Sequence, residues 1–558
     1  LSLDKEGALE KGKVEPVFVA FKELAGVVKP PPRVLAFPGD EVDPSAAFFH
    51  PEAEPNNTLA MAPKVRVPGT FSGHMDPLPS SEDGDHDWYV FVVERYKPAI
   101  LKLTLSEVKG IDRGVEVYHD GVGGRNRLLQ LNNAGAGKVE RLPNLRLMNG
   151  RYFLHIHQVP DKKGKTRYDV VRPYRIELSL DELSGKVEET EPNDDYVHAV
   201  AAVAPLEVSG VLNGPADRDW YLLDLLQVST YSYLSFELLP GMGRSATMEV
   251  YTSARELLLI GTAEEGRKLI FPNVAVIDDA SAYYVVVGTA DGEKRQGEYT
   301  LIVRSVSTKD RVELEPNGTP DLAVRLYYEE ATSGWLAVEG DEDWYRLEPG
   351  ADWGTDDEGK PEQPALNVVL SGVSGLDLVL TAFDAGGEVS VGKFDSGSKG
   401  EGEEIPNLAM PVRPLLLRVS ARQGANPGLQ YALEARAVTT TGREVEPNNT
   451  MEQASQLPGD GGDISGYLLP RGDRDCFVLP VAGAKLSFEG PPGADMVVSA
   501  YGPLGNLIFQ GTARPGKELP VELAEADSRV CLGLKGGKGR PPRTPYVIRV
   551  QAGSINGN

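Results

Sequence analysis

The sequence predicts an all-β protein, built as four tandem jelly-roll-like antiparallel β-sandwiches behind an N-terminal extension. Three observations carry this prediction. A pair of short phrases recurs four times, at intervals of roughly 130 residues, which is an ordinary domain length. Short alternating segments follow each phrase, such as Ile100-Leu101-Lys102-Leu103-Thr104-Leu105 and Tyr299-Thr300-Leu301-Ile302-Val303. The chain also holds 61 Gly and 42 Pro with few helix-period stretches, as many turns between short strands require.

Residues 1–50 form the extension. Val14 to Val28 alternates weakly and Pro30-Pro31-Pro32 enforces an extended stretch, so the segment reads as a tail or as a strand packed on the first domain. The four sandwiches are expected at 51–182, 183–307, 308–438 and 439–558. Short joints such as Leu180 to Glu188 leave neighbouring domains little freedom. A short helix capped by Thr or Asn is expected after each Pro-Asn, as at Thr450 to Ala454.

The first phrase is Glu-x-Glu-Pro-Asn: Glu52, Glu54 and Asn56; Glu189, Glu191 and Asn193; Glu313, Glu315 and Asn317; Glu444, Glu446 and Asn448. The second is Asp-x-Asp before an aromatic pair: Asp85 and Asp87, Asp217 and Asp219, Asp341 and Asp343, Asp473 and Asp475. Residues i and i+2 of an extended chain project to one side. Bringing the phrases together therefore collects up to four carboxylates and an Asn amide, and such a cluster repels itself unless a cation neutralises it. Every donor is oxygen, which suits Ca²⁺ with its six to eight oxygen ligands rather than zinc. Repeat two is the most acidic, with Asp194 and Asp195, while repeat three places Gly318 where a further ligand would stand. The plainer reading is turn chemistry, with Pro-Asn and Asp-x-Asp closing turns ahead of core Trp residues.

In this order, Glu-Pro-Asn, then Asp-x-Asp-Trp-Tyr, then closing Tyr-led strands, the chain resembles the bacterial pre-peptidase C-terminal domain family. That family includes the collagen-binding domains of clostridial collagenases. The resemblance covers about residues 50–552 and is weakest in repeat four, where Cys476-Phe477 replaces Trp-Tyr. It implies jelly-roll sandwiches, export, an ancillary role beside secreted enzymes and, in some members, calcium at the Glu-x-Glu-Pro-Asn stretch.

The two cysteines, Cys476 and Cys531, both lie in repeat four. Cys476 takes the place of Trp88, Trp220 and Trp344, and Cys531 is aligned with Phe153 and Tyr284. A disulfide between neighbouring strands is expected there, and it suits an oxidising compartment. Six of the seven histidines lie in or just before the first sandwich. His155 and His157 share a strand face with His119 as a conceivable third metal ligand, but exposed strand residues are the simpler expectation. Asn56-Asn57-Thr58, Asn317-Gly318-Thr319 and Asn448-Asn449-Thr450 match glycosylation sequons, although Thr is better read as a cap.

A net charge of −25 argues against nucleic acid and anionic membrane as partners. No apolar run spans a bilayer, and the chain opens on Leu1, as a processed product would. No metalloprotease, nucleophile-elbow or phosphate-loop motif occurs, so no catalytic residue is assigned. The expectation is a secreted, cell-surface or periplasmic adhesion, scaffold or matrix protein, calcium-stabilised at its joints. Its partner would be a protein or polysaccharide surface, with self-association conceivable. The alternatives are a targeting or inhibitory partner of a secreted peptidase, and an enzyme with an unrecognised site.

Overall fold

The computed structural model describes residues 49–77, 84–121, 123–229, 232–277, 281–290, 296–307, 309–349, 365–536 and 540–551. The expected tail, Val14 to Val28 and the triple proline lie outside the described residues. Within them the fold is a series of tandem β-sandwiches. Each repeat contributes one five-stranded and one four-stranded sheet.

Repeat two shows the plan. One sheet orders its strands as Val200–Val203, Arg218–Asp224, Ala282–Thr289, Ala246–Thr252 and Leu257–Ala263. The other runs Leu206–Leu212, Gly297–Ser307, Ser232–Pro240 and Leu269–Val274. All pairings are antiparallel except the short edge Val200–Val203, which runs parallel to Arg218–Asp224. Alternation places Tyr221, Leu223, Val285 and Val287 of one sheet against Val208, Phe236, Leu301 and Val303 of the other, in one dry core. Repeats one, three and four enclose equivalent cores of their own. In repeat one the parallel edge shrinks to a single bridge, Lys64 to Val90, and Phe49–Pro51 instead joins the opposite sheet beside Thr70 to Ser72.

The disulfide joins Cys476 and Cys531, which face each other directly across neighbouring antiparallel strands. The register corrects the expected alignment by two residues. Cys476 faces Cys531 as Trp220 faces Val286 and Trp88 faces His155, so Cys531 matches Val286 and not Tyr284. A slip of two keeps a residue on the same strand face, which is why periodicity alone did not reveal it. The expected helices after Pro-Asn are also corrected. Among the described residues the only helical turns are 3₁₀, Leu59–Met61 and Pro320–Leu322, where neither Thr58 nor Thr319 caps with its side chain, while Thr450 accepts the Gln453 N–H in a turn that is not helical.

Candidate metal centre

The two phrases meet because the main chain stitches them together. The backbone N–H of Trp88, Trp220, Trp344 and Cys476 donates to the carbonyl of Asn56, Asn193, Asn317 and Asn448, at 3.0–3.2 Å. The N–H of each of these Asn residues returns to the second Glu of its own phrase, at 2.8 Å from Glu54, 3.1 Å from Glu191, 2.8 Å from Glu315 and 3.0 Å from Glu446. The four Asn side chains are fully buried, which excludes the sequon reading of Asn56, Asn317 and Asn448 in the folded chain.

Three carboxylates then converge in every repeat, each offering an oxygen within 4.8 Å of the others: Glu52, Glu54 and Asp87; Glu189, Glu191 and Asp219; Glu313, Glu315 and Asp343; Glu444, Glu446 and Asp475. The first Asp of each pair stands outside this triad but close enough to feel its charge, as Glu446 and Glu444 act on Asp473 and Glu54 acts on Asp85. Asp85 accepts the N–H of Asp76 and His86, Asp341 that of Ala337, and Asp473 that of Arg474. Turn contacts thus occupy these Asp residues in part, and the Asp473 Oδ2 is left buried without a hydrogen-bond partner. In repeat two, Asp217 also forms a second triad with Glu191 and Asp194, so Glu191 belongs to both. Asp195 turns away to His198.

A Tyr from the closing strand of each repeat stands against its triad. Tyr174 donates to Asp87 at 2.7 Å and Tyr431 to Asp343 at 2.6 Å, and each shares its hydroxyl with a second buried Tyr, Tyr89 and Tyr345. In repeat four Phe477 replaces that second Tyr, and Tyr546 bonds Glu444. The same Tyr crowds a fourfold glycine. A Cβ on Gly73, Gly210, Gly334 or Gly466 would fall inside the hydroxyl of Tyr174, Tyr299, Tyr431 or Tyr546. The residue after each Gly points its N–H at the first Glu: His74 to Glu52, Val211 to Glu189, Trp335 to Glu313 and Tyr467 to Glu444.

Burial and like charge act together on these acids. Desolvation first, then neighbouring carboxylates, push Asp87 up to about 9 and Asp473 to about 9. Glu315 and Glu446 rise to about 7, chiefly through burial. Glu189, Asp219, Glu313, Asp343 and Asp475 are driven well above the carboxylate range for the same reasons. Several oxygens aimed into the clusters have no hydrogen-bond partner in the protein: Asp87 Oδ1, Asn193 Oδ1, both carboxylate oxygens of Asp219, Asn317 Oδ1, Asp343 Oδ1, Asn448 Oδ1 and both of Asp475. Buried oxygens without donors, all of them hard ligands, fit a Ca²⁺-sized cation and give no thiolate or imidazole for zinc.

A further partner comes from the neighbouring repeat. Asn144 donates its amide to Glu189, and Asn273 donates to Glu313 at 2.6 Å. Asn407, in the matching place, lies near Glu444, but its side chain makes no hydrogen bond within the protein. These residues, the closing-strand Tyr residues and the Ser-Gly pairs were not among the candidates from sequence. Each carried a signal: Ser-Gly stands about twenty residues after each Glu-x-Glu, at Ser72-Gly73, Ser209-Gly210, Ser333-Gly334 and Ser465-Gly466, and Pro-Asn recurs mid-domain at Pro143-Asn144, Pro272-Asn273 and Pro406-Asn407.

The histidines of repeat one form a different cluster. His155 is buried, stacked on Trp88 at 4.1 Å between ring centroids, and bonded to Glu116 at 2.9 Å and His86 at 2.9 Å. This corrects the expectation of an exposed residue. His119 packs on Tyr152 instead, so the proposed trio of His119, His155 and His157 does not assemble.

No family model matches the chain, and no curated protein matches it. Among solved structures it is similar to the PBSX exported protein XepA, at 12% identity and a TM-score of 0.13, over 43% of this chain and 83% of that one. It is also similar to the tandem CBM22 domains of Paenibacillus barcinonensis Xyn10C, at 11% identity and a TM-score of 0.14, over 39% and 82%. Likeness this slight carries no functional argument.

Proposed function

We propose that the chain is an exported, non-enzymatic array of tandem sandwiches whose joints are stiffened by Ca²⁺, related to the pre-peptidase C-terminal domain family. It would serve as an adhesion, scaffold or matrix element, presenting its sheets to a protein or polysaccharide surface. One observation carries the reading. All-oxygen triads with buried, unpartnered oxygens recur in every repeat, fully buried in repeats two and three, and three of the four lie where one repeat meets the next. Glu189, Glu191 and Asp219 and their counterparts would hold the ion, with the Asn193 carbonyl-type oxygens beside them. The ion would supply the positive charge that lets these acids stay ionised while buried. A disulfide in repeat four supports an oxidising compartment. Among the described residues no helix is long and apolar enough to cross a membrane.

The test is a Ca²⁺ titration of the metal-stripped full chain, followed by calorimetry and by melting. Saturable Ca²⁺ binding that Mg²⁺ at equal concentration does not match, with a raised melting temperature, is the expected result. No binding and an unchanged melt would remove the calcium part of the reading.

A further inference from the structure

The strands carrying Pro-Asn are the edge strands Glu140–Leu147, Leu269–Val274 and Glu403–Ala409. An edge strand leaves a row of main-chain groups to be covered. Here the Glu-x-Glu phrase of the following repeat covers it, running parallel through the bridges Leu145 to Glu191, Val274 to Glu315 and Leu408 to Glu446. Each contact is reciprocal. Glu191 N–H donates to the Asn144 carbonyl and Arg146 N–H to the Glu191 carbonyl, both at 2.9 Å, and the other two joints repeat the pattern.

All three edge strands bulge at the same place. One residue of the neighbouring strand, Lys102, Ser235 or Asn367, faces two residues, Pro143-Asn144, Pro272-Asn273 or Pro406-Asn407. A bulge re-aims a side chain that a regular pleat would send elsewhere. Repeat four provides the contrast. Its corresponding strand, Leu519–Leu523, pairs with Ala484–Glu489 without a break and reads Leu519-Pro520-Val521, with Val521 in its own core. Asn and bulge are lost together, in the one repeat whose edge meets no later Glu-x-Glu phrase within this chain.

We infer that the Pro-Asn bulge is a receptor for the next repeat, and that its Asn stands at the first Glu of that repeat's triad, holding it by a hydrogen bond at the first two joints, so that each of the three later cation sites is shared by two repeats. This rests on the cation reading above. The Asn273 amide holds one oxygen of Glu313, while Asn317 holds the other at 2.7 Å. The carboxylate is thereby oriented from both sides of the joint. The Asn273 Oδ1, buried and without a partner, is left beside the cluster. Cation binding and repeat docking are then one linked equilibrium, so each strengthens the other.

The test compares the full chain with Asn273→Ala and Asn273→Asp, with and without Ca²⁺. Readouts are calorimetric Ca²⁺ affinity and hydrogen exchange in the peptides spanning residues 269–274 and 313–317. Asn273→Ala is expected to weaken one Ca²⁺ step by roughly 10–100-fold, the usual cost of losing a partner that orients a ligand. Exchange should rise at that joint alone, leaving the core strands protected. Asn273→Asp, equal in size, is expected to dock when Ca²⁺ is present and to open when it is removed, because the added charge faces Glu313. A purely structural Asn would instead open the joint equally in both conditions for both variants, and that overturns the inference. So does an unaltered Ca²⁺ affinity in Asn273→Ala. If the unmodified chain binds no Ca²⁺ the cation reading itself falls, a result separate from either variant.

Discussion

Replacing Asp343 with Asn should change sign with calcium. The substitution keeps the shape of the side chain and an oxygen to accept the Tyr431 hydroxyl, but removes one charge. Oxygens of Glu313, Glu315 and Asp343 lie within 4.8 Å of one another. At an effective dielectric of about 20, two charges at that spacing repel by about 3.5 kcal/mol. Asp343 enters two such contacts, so with every acid ionised the relief would be about 7 kcal/mol. Proton uptake caps this, since the acids rise toward or above neutrality rather than bear the full repulsion, and on the order of 2 kcal/mol remains at pH 7.5. In EGTA, Asp343→Asn should therefore raise the melting transition of repeat three by roughly 6–10 °C. With Ca²⁺ at about 100 times its dissociation constant, the unmodified site gains about 2.7 kcal/mol, most of which the variant forgoes. Scanning calorimetry of the full chain in EGTA and in Ca²⁺ should show the two curves crossing. A variant less stable in both conditions would refute the reasoning and leave Asp343 as a hydrogen-bond acceptor only.

Three further outcomes follow. Gly210→Ala sets a methyl into Tyr299, whose hydroxyl is already held by Tyr221 at 2.6 Å, so repeat two should lose about 3 kcal/mol by denaturant titration. Burial lowers His155 to about 4, despite its bond to Glu116. The unfolded chain thus binds more protons between the two values, and repeat one should keep its stability above about pH 6.5 and lose up to a few kcal/mol as pH falls toward 4. His155→Val, the residue repeat two carries there, should abolish that slope in hydrogen exchange of residues 150–158. Reducing the Cys476–Cys531 bond, which closes 55 residues, should cost repeat four roughly 2–4 kcal/mol and leave the transitions of the other repeats unmoved.

The fold was legible because its signals are periodic. The short aromatic and β-branched run Tyr283-Tyr284-Val285-Val286-Val287 and the alternation in Met248-Glu249-Val250-Tyr251 read directly as strand, and the fourfold phrase marks each repeat. The triads were legible because Glu-x-Glu and Asp-x-Asp are short-range patterns whose acids share a side. The role of Asp85, Asp341 and Asp473 was not, since i and i+2 spacing does not say which of two acids faces a turn. Asn144, Asn273 and Asn407 escaped for another reason. They lie 37–45 residues before the acids they approach, and within their own strand a polar residue after Pro looks like an ordinary edge position. Only the register, with one residue facing two, reveals why an Asn is placed there. His155 was misread because an imidazole on a strand was weighed without the Trp88 ring that covers it.

The four sites should not be equal, and their difference follows from who covers whom. Glu189, Glu191, Glu313, Glu315 and Glu444 are buried, each beneath the edge strand of the repeat before it. In repeat one Glu54 is exposed and Glu52 half-buried, and His74 rather than an Asn amide holds Glu52, at 3.0 Å. The burial that raises the cost of the bare acids also excludes the water that would compete for a bound ion. Covered sites therefore gain more from the cation, and they lose it only when the joint opens. During slow chelation the ion at Glu52, Glu54 and Asp87 should leave first and without loosening any joint. The three shared sites should follow later, together with a rise in hydrogen exchange at residues 142–147, 269–274 and 403–409. Simultaneous release from all four would mean that the neighbouring repeat contributes nothing to holding the ion.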